Sequence, residues 1–454
     1  MSGHAVELRL HGVELFERPV TLRLPFRFGA ATVTHCPQAF VRVDAEVGGR
    51  RVVGAAAELM VPKWFDKNPA LTHEQNFEQL REALRIARAA YLGADAAMNP
   101  WLLSDTQGEA AIAQGVARGL PRLAAQFGAA QLDKAVADAA LRAAGLSWCA
   151  GLRAGVLGDP WSAGLAIAEP TTIALRHTVG LADRLTAADA GADPHDGLPA
   201  TLTDAIAAYG LRYFKLKLCG DVERDVERLA AIAAQLQRCA SDWQVTLDGN
   251  ETFADADALG RFWRTLAATP ALEPLLARTL LLEQPIARAQ ALAQAIDGLA
   301  IGVPVILDES DDRAGALERG LALGYRGISS KACKGIYRSL HSAARVAQEP
   351  RRLLLSGEDL TCQAGLAVQQ DTLLAASLGV AHVERNGHHY VDGFGIAPDD
   401  EQAAFARAHA GLYAERGGRV RIAVRDGALD LRSLHAPGFA NAAEPVWHSL
   451  QAIH

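Results

Sequence analysis

The sequence has no paired cysteines. Its six cysteines, Cys36, Cys149, Cys219, Cys239, Cys333 and Cys362, are scattered with no CxxC among them, a usage that suits reduced thiols better than a disulfide frame or a zinc site. No run of about 18 uncharged apolar residues is present, so no membrane-spanning helix is expected. The opening MSGHAVELRLHGVELF shows no basic region followed by an apolar core, the form of a secretory leader. A cytoplasmic protein is the resulting expectation. Basic surplus is lacking too: the net charge is -7 over 454 residues, 50% of them hydrophobic and 21% charged. Neither a nucleic acid nor a membrane surface is therefore an expected partner.

What is present changes character along the chain. Up to about residue 60 the sequence reads as strands, with Gly48-Gly49 between alternating apolar runs as in a hairpin. From Thr72 to about Gly158 it becomes helical, in Ala- and Leu-rich segments such as NFEQLREALRIARAAYLG and QLDKAVADAALRAAG that close on glycine. From about Thr171, eight short apolar runs alternate with helical segments: TTIALRHTVG, YFKLKLCG, WQVTLDGN, TLLLEQP, VPVILDES, GISSKAC, RLLLSGE and VAHVERN. Eight such units in roughly 250 residues predict a closed (β/α)8 barrel. The rival open sheet lacks its signal, because no GxGxxG follows any strand. The expected organisation is an α+β capping domain over residues 1–165, the barrel over 166–398, and a segment 399–454 that completes the capping domain. The stretch GGRVRIAVRDGALDLRS in that segment reads as a strand pair returning to the first domain.

In such a barrel, functional side chains come from the C-terminal ends of the strands and face one mouth. Here those ends carry Lys215 and Lys217, Asp248, Glu283, Asp308 and Lys331, spaced from Lys217 onward by 23 to 35 residues. Lys215 and Lys217 stand at i and i+2 and so share a face. Two buried ammonium groups that close repel and need a compensating anion or a use. Asp248, Glu283 and Asp308 converging on one point must hold protons or bind a metal, and hard oxygen ligands suit Mg2+ better than zinc. Glu309 is the alternative to Asp308, and alternation is expected to point it outward. Individually each acid also reads as a helix N-cap.

The set KLK at 215–217, DGN at 248–250, EQP at 283–285, DES at 308–310 and SSKACKG at 329–335 resembles the enolase superfamily, in the branch of muconate lactonizing enzymes and mandelate racemase. The resemblance covers most of the chain. It implies a Mg2+-dependent isomerase or lyase that removes the proton next to a carboxylate to give an enediolate, the Lys-or-His-plus-Mg2+ pattern for this superfamily being an established one. Racemisation or epimerisation, cycloisomerisation and dehydration of a small carboxylic acid are the outcomes it implies. By position, Lys217 and Lys331 are the acid/base residues of the two faces and Lys215 orients the substrate and lowers the pKa of Lys217. The family motif also implies Lys331 rather than Lys334 as base, although Ile336 stands where a second glycine is usual. Glu384, Lys334, Arg27, Trp64 and Asn250 are the expected substrate contacts, Arg27 and Trp64 lying in the two capping-domain segments 24–38 and 60–72 that the family uses for specificity. His388 and His389 are the only candidates near the strand ends for a histidine base. A homo-oligomer is expected. The competing readings are a metal-independent Schiff-base lyase on the same barrel and a non-catalytic binding protein.

Overall fold

The computed structural model describes residues 5–191 and 193–454; the first four residues of the expected strand-bearing start lie outside them. Three long antiparallel strands open the chain: β1 (Arg9–Phe28), β2 (Ala31–Val47) and β3 (Arg50–Leu59). Gly48 and Gly49, at φ of +54° and +77°, make the β2–β3 turn with Val47 opposite Arg50. Positive φ at both positions is what a two-residue hairpin of this twist needs, and glycine supplies it without strain. The segment 24–38, expected as a loop, is mostly strand. Burial alternates from Val20 to Phe28, so the period-2 pattern runs through Pro25 and the β1–β2 hairpin extends as one arm.

Helix His73–Leu92 starts at Thr72 in a capping box with Gln75. Helix Arg122–Ala144 ends at Gly145 and is buried all round over most of its length, as expected of a helix packed on every side. Its buried cation is paired: Lys134 donates to the Ala57 carbonyl at 2.7 Å and lies 3.2 Å from Glu58. The two helices touch through Gly128, where an added Cβ would stand 2.1 Å from the carbonyl oxygen of Ala83. Gly128→Ala is expected to destabilise the protein by about 3 kcal/mol, the upper part of the overpacking range. Thermal unfolding checks this, and an unchanged midpoint would contradict the close helix approach.

All eight predicted barrel runs form strands: β4 (Thr172–Val179), β5 (Tyr213–Lys217), β6 (Gln244–Asp248), β7 (Thr279–Glu283), β8 (Val305–Ile306), β9 (Gly327–Ser330), β10 (Leu354–Gly357) and β11 (His382–Glu384). They pair in parallel in the order β8-β7-β6-β5-β4-β11-β10-β9, and a bridge between Leu307 and Ile328 joins the two ends. The sheet is thus a nearly closed eight-stranded barrel with an antiparallel N-terminal sheet beside it.

The tail departs from expectation. β13 (Arg419–Ile422) pairs with β12 (Tyr413–Arg416), because the Gly417-Gly418 turn folds it onto the strand before it. β14 (Ala428–Asp430) pairs with the start of β4, at the end of the barrel away from the strand C-termini. Only β15 (Gln451–Ala452) reaches the N-terminal sheet, opposite Phe16 and Glu17 of β1. No helix among the described residues is long and apolar enough to cross a membrane.

Candidate active site

The barrel register sets the site. Lys217 pairs in register with Asp248, and Asp248 with Glu283, so three neighbouring strands end in cation, acid, acid. Lys331 and Glu358 follow directly after β9 and β10, Asp308 lies two residues past β8, and Glu384 ends β11. All of them are buried. Lys217 and Lys331 both line one small cavity of about 20 Å³, together with Phe26, Phe28, Trp64, Asn250 and Glu384. That is room for about one water.

Lys215 is the centre of a charge network. Its Nζ lies 2.5 Å from Glu358, 2.7 Å from Glu283, and 3.0 Å from both Asp248 and Glu384. Burial disfavours its charge, but the four acids outweigh that and hold its pKa well above the ordinary lysine range. Two lysines on one face are therefore tolerated because acids from four strands surround them. Lys217 donates to Asp248 at 2.6 Å, with its Nζ 5.8 Å from the rings of both Phe26 and Phe28. Lys331 donates to Asp308 at 2.6 Å and sits 4.2 Å above the Trp64 ring. Burial opposes its charge as well, and Asp308 reverses the balance, so its pKa too is raised. These carboxylates favour the ammonium forms of Lys215 and Lys331.

Whether the acids suit a divalent cation turns on Glu283. Burial, then Asp248 and Glu358, push its pKa well above the usual carboxylate range, and neither of its oxygens has a hydrogen bond of acceptable angle, Lys215 at 2.7 Å included. Among the described residues, no three of His, Cys, Asp and Glu are drawn together as a closed metal-ligand cluster, since Lys215 stands between Asp248 and Glu283 and Lys331 takes Asp308. The donor chemistry nevertheless fits a hard cation: three buried carboxylates on adjacent strand ends, one lacking hydrogen bonds.

The remaining candidates occupy different places. Glu384 faces the mouth, accepting from Thr178 at 2.5 Å and Asn386 at 2.8 Å besides its contact with Lys215. Arg385 pairs instead with Asp359 and Asp371. Trp64 lines the cavity, and its buried Nε1 has no partner; the same holds for Asn250 Oδ1. Lys334 does not reach the cavity of Lys217 and Lys331 but supports Asp308 from behind at 3.4 Å, donating to the Ser329 carbonyl at 2.7 Å and lying 3.3 Å from Asp311, because residues 332–334 form one tight helical turn and not a strand. Arg27 is exposed on the rim of a separate opening of about 550 Å³ that also touches Lys63, Lys67 and Arg224. Glu309 does not point outward to solvent. It is fully buried, 3.5 Å from Lys67, because β8 stops at Ile306 and strand alternation no longer applies at 309.

Sequence reasoning offered Glu358, from SGED at a strand end, but preferred Glu384 for the mouth; the structure brings both to Lys215. That reasoning missed the clasp over the mouth. Lys67 reaches Glu251 at 2.6 Å, and Arg288 binds Glu251 at 2.7 Å while donating to the backbone carbonyls of Trp64 and Phe65. These contacts hold the segment carrying Trp64 against the barrel.

The histidines lie elsewhere. His177 Nδ1 and His388 Nε2 are 3.0 Å apart, with His389 and Tyr209 packed beside them and Arg23 and Asp183 among the nearby charges. They are on the outward side of β4, away from the lysines. Burial pushes the His177 pKa down to about 3 and those of His388 and His389 well below the ordinary value. The folded state therefore binds these protons less readily than the unfolded chain, so their stabilising share is complete above about pH 6.5 and is lost as pH falls toward 3. At pH 5 the His177 shift costs about 2 kcal/mol by this linkage. His177→Phe is expected to shrink the stability loss between pH 7 and pH 5 by about that amount, as read from denaturant unfolding at both pH values; an unchanged loss contradicts the buried neutral state.

Residues 198–408 match the family model described as Enolase C-terminal domain-like. A search of curated proteins found no match. Among solved structures, the muconate lactonizing enzyme from Pseudomonas fluorescens complexed with muconolactone is 17% identical, covers 97% of this chain and 98% of its own, and superposes with a TM-score of 0.61. The dipeptide epimerase from Enterococcus faecalis V583, complexed with Mg and the dipeptide L-Leu-L-Tyr, is 15% identical over 95% and 99% of the two chains at a TM-score of 0.62. A mandelate racemase/muconate lactonizing protein from Herpetosiphon aurantiacus is 19% identical over 96% and 99%, again at 0.62. Over residues 198–408 the chain is thus similar to the Enolase C-terminal domain-like family, and over nearly its whole length it shares the fold of these solved structures.

Proposed function

We propose that the protein is an isomerase or lyase that moves the proton on the carbon next to a substrate carboxylate. The carrying observation is positional: β5 and β9 stand four strands apart in either direction round the eight-stranded ring, so Lys217 and Lys331 approach one cavity from opposite walls. One lysine takes the proton from one face of the carbon while the other holds a proton for the opposite face. That arrangement serves racemisation, epimerisation, cycloisomerisation or dehydration. Lys215, one level deeper on the strand of Lys217, fixes the positions of Asp248, Glu283, Glu358 and Glu384.

Asp248, Glu283 and Asp308 are the residues that would hold Mg2+. When bound, the ion supplies the positive charge that makes the carbon acid easier to ionise. Trp64, Phe26 and Phe28 exclude water from the cavity, and the clasp of Lys67, Glu251 and Arg288 keeps them in place. Substrate entry requires that clasp to open, because about 20 Å³ admits no organic acid. The Schiff-base alternative predicts a lysine–substrate adduct that borohydride traps and turnover that needs no metal. Product formation from a panel of small carboxylates, measured by mass spectrometry before EDTA, after EDTA and after Mg2+ return, tests the reading. Turnover that vanishes and returns supports it; EDTA-resistant turnover overturns it.

A further inference from the structure

A cavity of about 420 Å³ lies behind the loop of Lys331, between the N-terminal helices and helix Ile336–Gln348. One wall is aromatic. Trp161 stacks on His341 with ring centres 4.1 Å apart, and Trp101 stands edge-on to Trp161 at 6.4 Å and to Tyr337 at 5.2 Å. Its size falls in the range of small-molecule pockets.

Two polar groups on the lining are buried without partners: the Tyr337 hydroxyl, on a residue 5% exposed, and Gln126 Oε1, on a residue 4% exposed. Each such group costs about 1–3 kcal/mol unless something satisfies it. Gln126 is otherwise fixed, its Nε2 donating to the Lys334 carbonyl at 2.8 Å. The opposite wall is acidic. Asp133 accepts from Tyr91 at 2.5 Å and from Ser104 at 2.8 Å. Asp105 and Glu109 stand at the rim, Glu109 3.1 Å from Arg122. The turn Ser104–Gly108 that presents Ser104 and Asp105 is a π-helical segment, a distortion that is frequent at functional sites.

The two cations on the lining are already committed. Lys334 and Arg338 both pair with Asp311, at 3.3 and 3.2 Å. The cavity therefore presents aromatic faces, two buried polar groups without partners and the carboxylate of Asp105 at its rim, the combination that attracts an organic cation. We propose that it is a second binding site, separate from the barrel mouth, for a small organic ammonium ion with an apolar body.

Phenethylammonium titrated calorimetrically into the full-length protein with Mg2+ tests this. Saturable 1:1 binding is expected, with the neutral isostere 2-phenylethanol bound about tenfold more weakly. Trp161→Leu should weaken phenethylammonium about tenfold, and Asp105→Asn, at an exposed position that will not disturb folding, about threefold. Lys217→Ala should leave the affinity unchanged. Absence of saturation at concentrations on the order of 10 mM, equal affinity for the alcohol, or loss of binding in Lys217→Ala each overturns the proposal, the last by moving the ligand to the barrel mouth. Unchanged affinity in both Trp161→Leu and Asp105→Asn does so as well.

Discussion

Lys217→Ala and Lys331→Ala are each expected to slow α-proton exchange by about 10³-fold or more, the usual share of a positioned acid or base. At about 1.4 kcal/mol per tenfold, that is about 4 kcal/mol of barrier. The two losses should differ in kind. A substrate whose proton lies toward Lys217 loses proton removal in one variant and only proton return in the other, so isotope exchange and net turnover separate. Each substitution also leaves an acid without its lysine, Asp248 at 2.6 Å in one case and Asp308 at 2.6 Å in the other. Asp308 retains contacts with Ser329 and Lys334, and Asp248 retains Lys215, so both variants should fold and keep Mg2+ affinity. Exchange rates within a few fold of wild type in both variants contradict the assignment.

Glu283→Gln carries the second large effect. The side chain keeps its shape but loses the charge, and Mg2+ affinity should fall by about 100-fold or more, a ligand being worth at least what its supporting partners are. Stability should move the other way. Burial and neighbouring acids raise the folded-state pKa of Glu283, so the metal-free fold favours the protonated form. Stability is then full below the unfolded value near 4.5 and is lost as pH rises above it. Glutamine removes that loss. In EDTA at pH 7 the variant should melt at or above the wild-type temperature while failing to bind Mg2+ by calorimetry. A lower melting temperature together with intact Mg2+ binding contradicts both the crowding of the acids and the role given to Glu283.

The barrel was legible because each of its strands is a short apolar run set off by glycine or a polar terminus, and the polar terminus is where barrel chemistry sits. That logic places Lys217, Asp248, Glu283, Asp308 and Lys331 at the strand ends of the barrel, each at or within two residues of one. It weakens where the strand stops early. β8 is only Val305–Ile306, so the alternation rule misdirected Glu309, which turns inward to Lys67. The capping arm was under-read because the resemblance placed a specificity loop within 24–38, yet the buried alternation of Val20, Leu22, Leu24, Phe26 and Phe28 continues through Pro25. Long-range pairs left no local mark at all. Nothing in the sequence near Lys215 announces Glu358, 143 residues away, and nothing near Lys67 announces Glu251. Such partners are set by ring closure of the barrel, which only the fold supplies.

The most direct test is the rate of deuterium uptake from D2O, with Mg2+, at the carbon next to the carboxylate, across α-hydroxy acids, N-acyl amino acids, dipeptides, sugar acids and muconates. The account predicts uptake for at least one class, abolished by EDTA and reduced by about 10³-fold in Lys217→Ala or Lys331→Ala. Turnover of any of these acids without uptake at that carbon, or uptake that survives loss of both lysines, contradicts it.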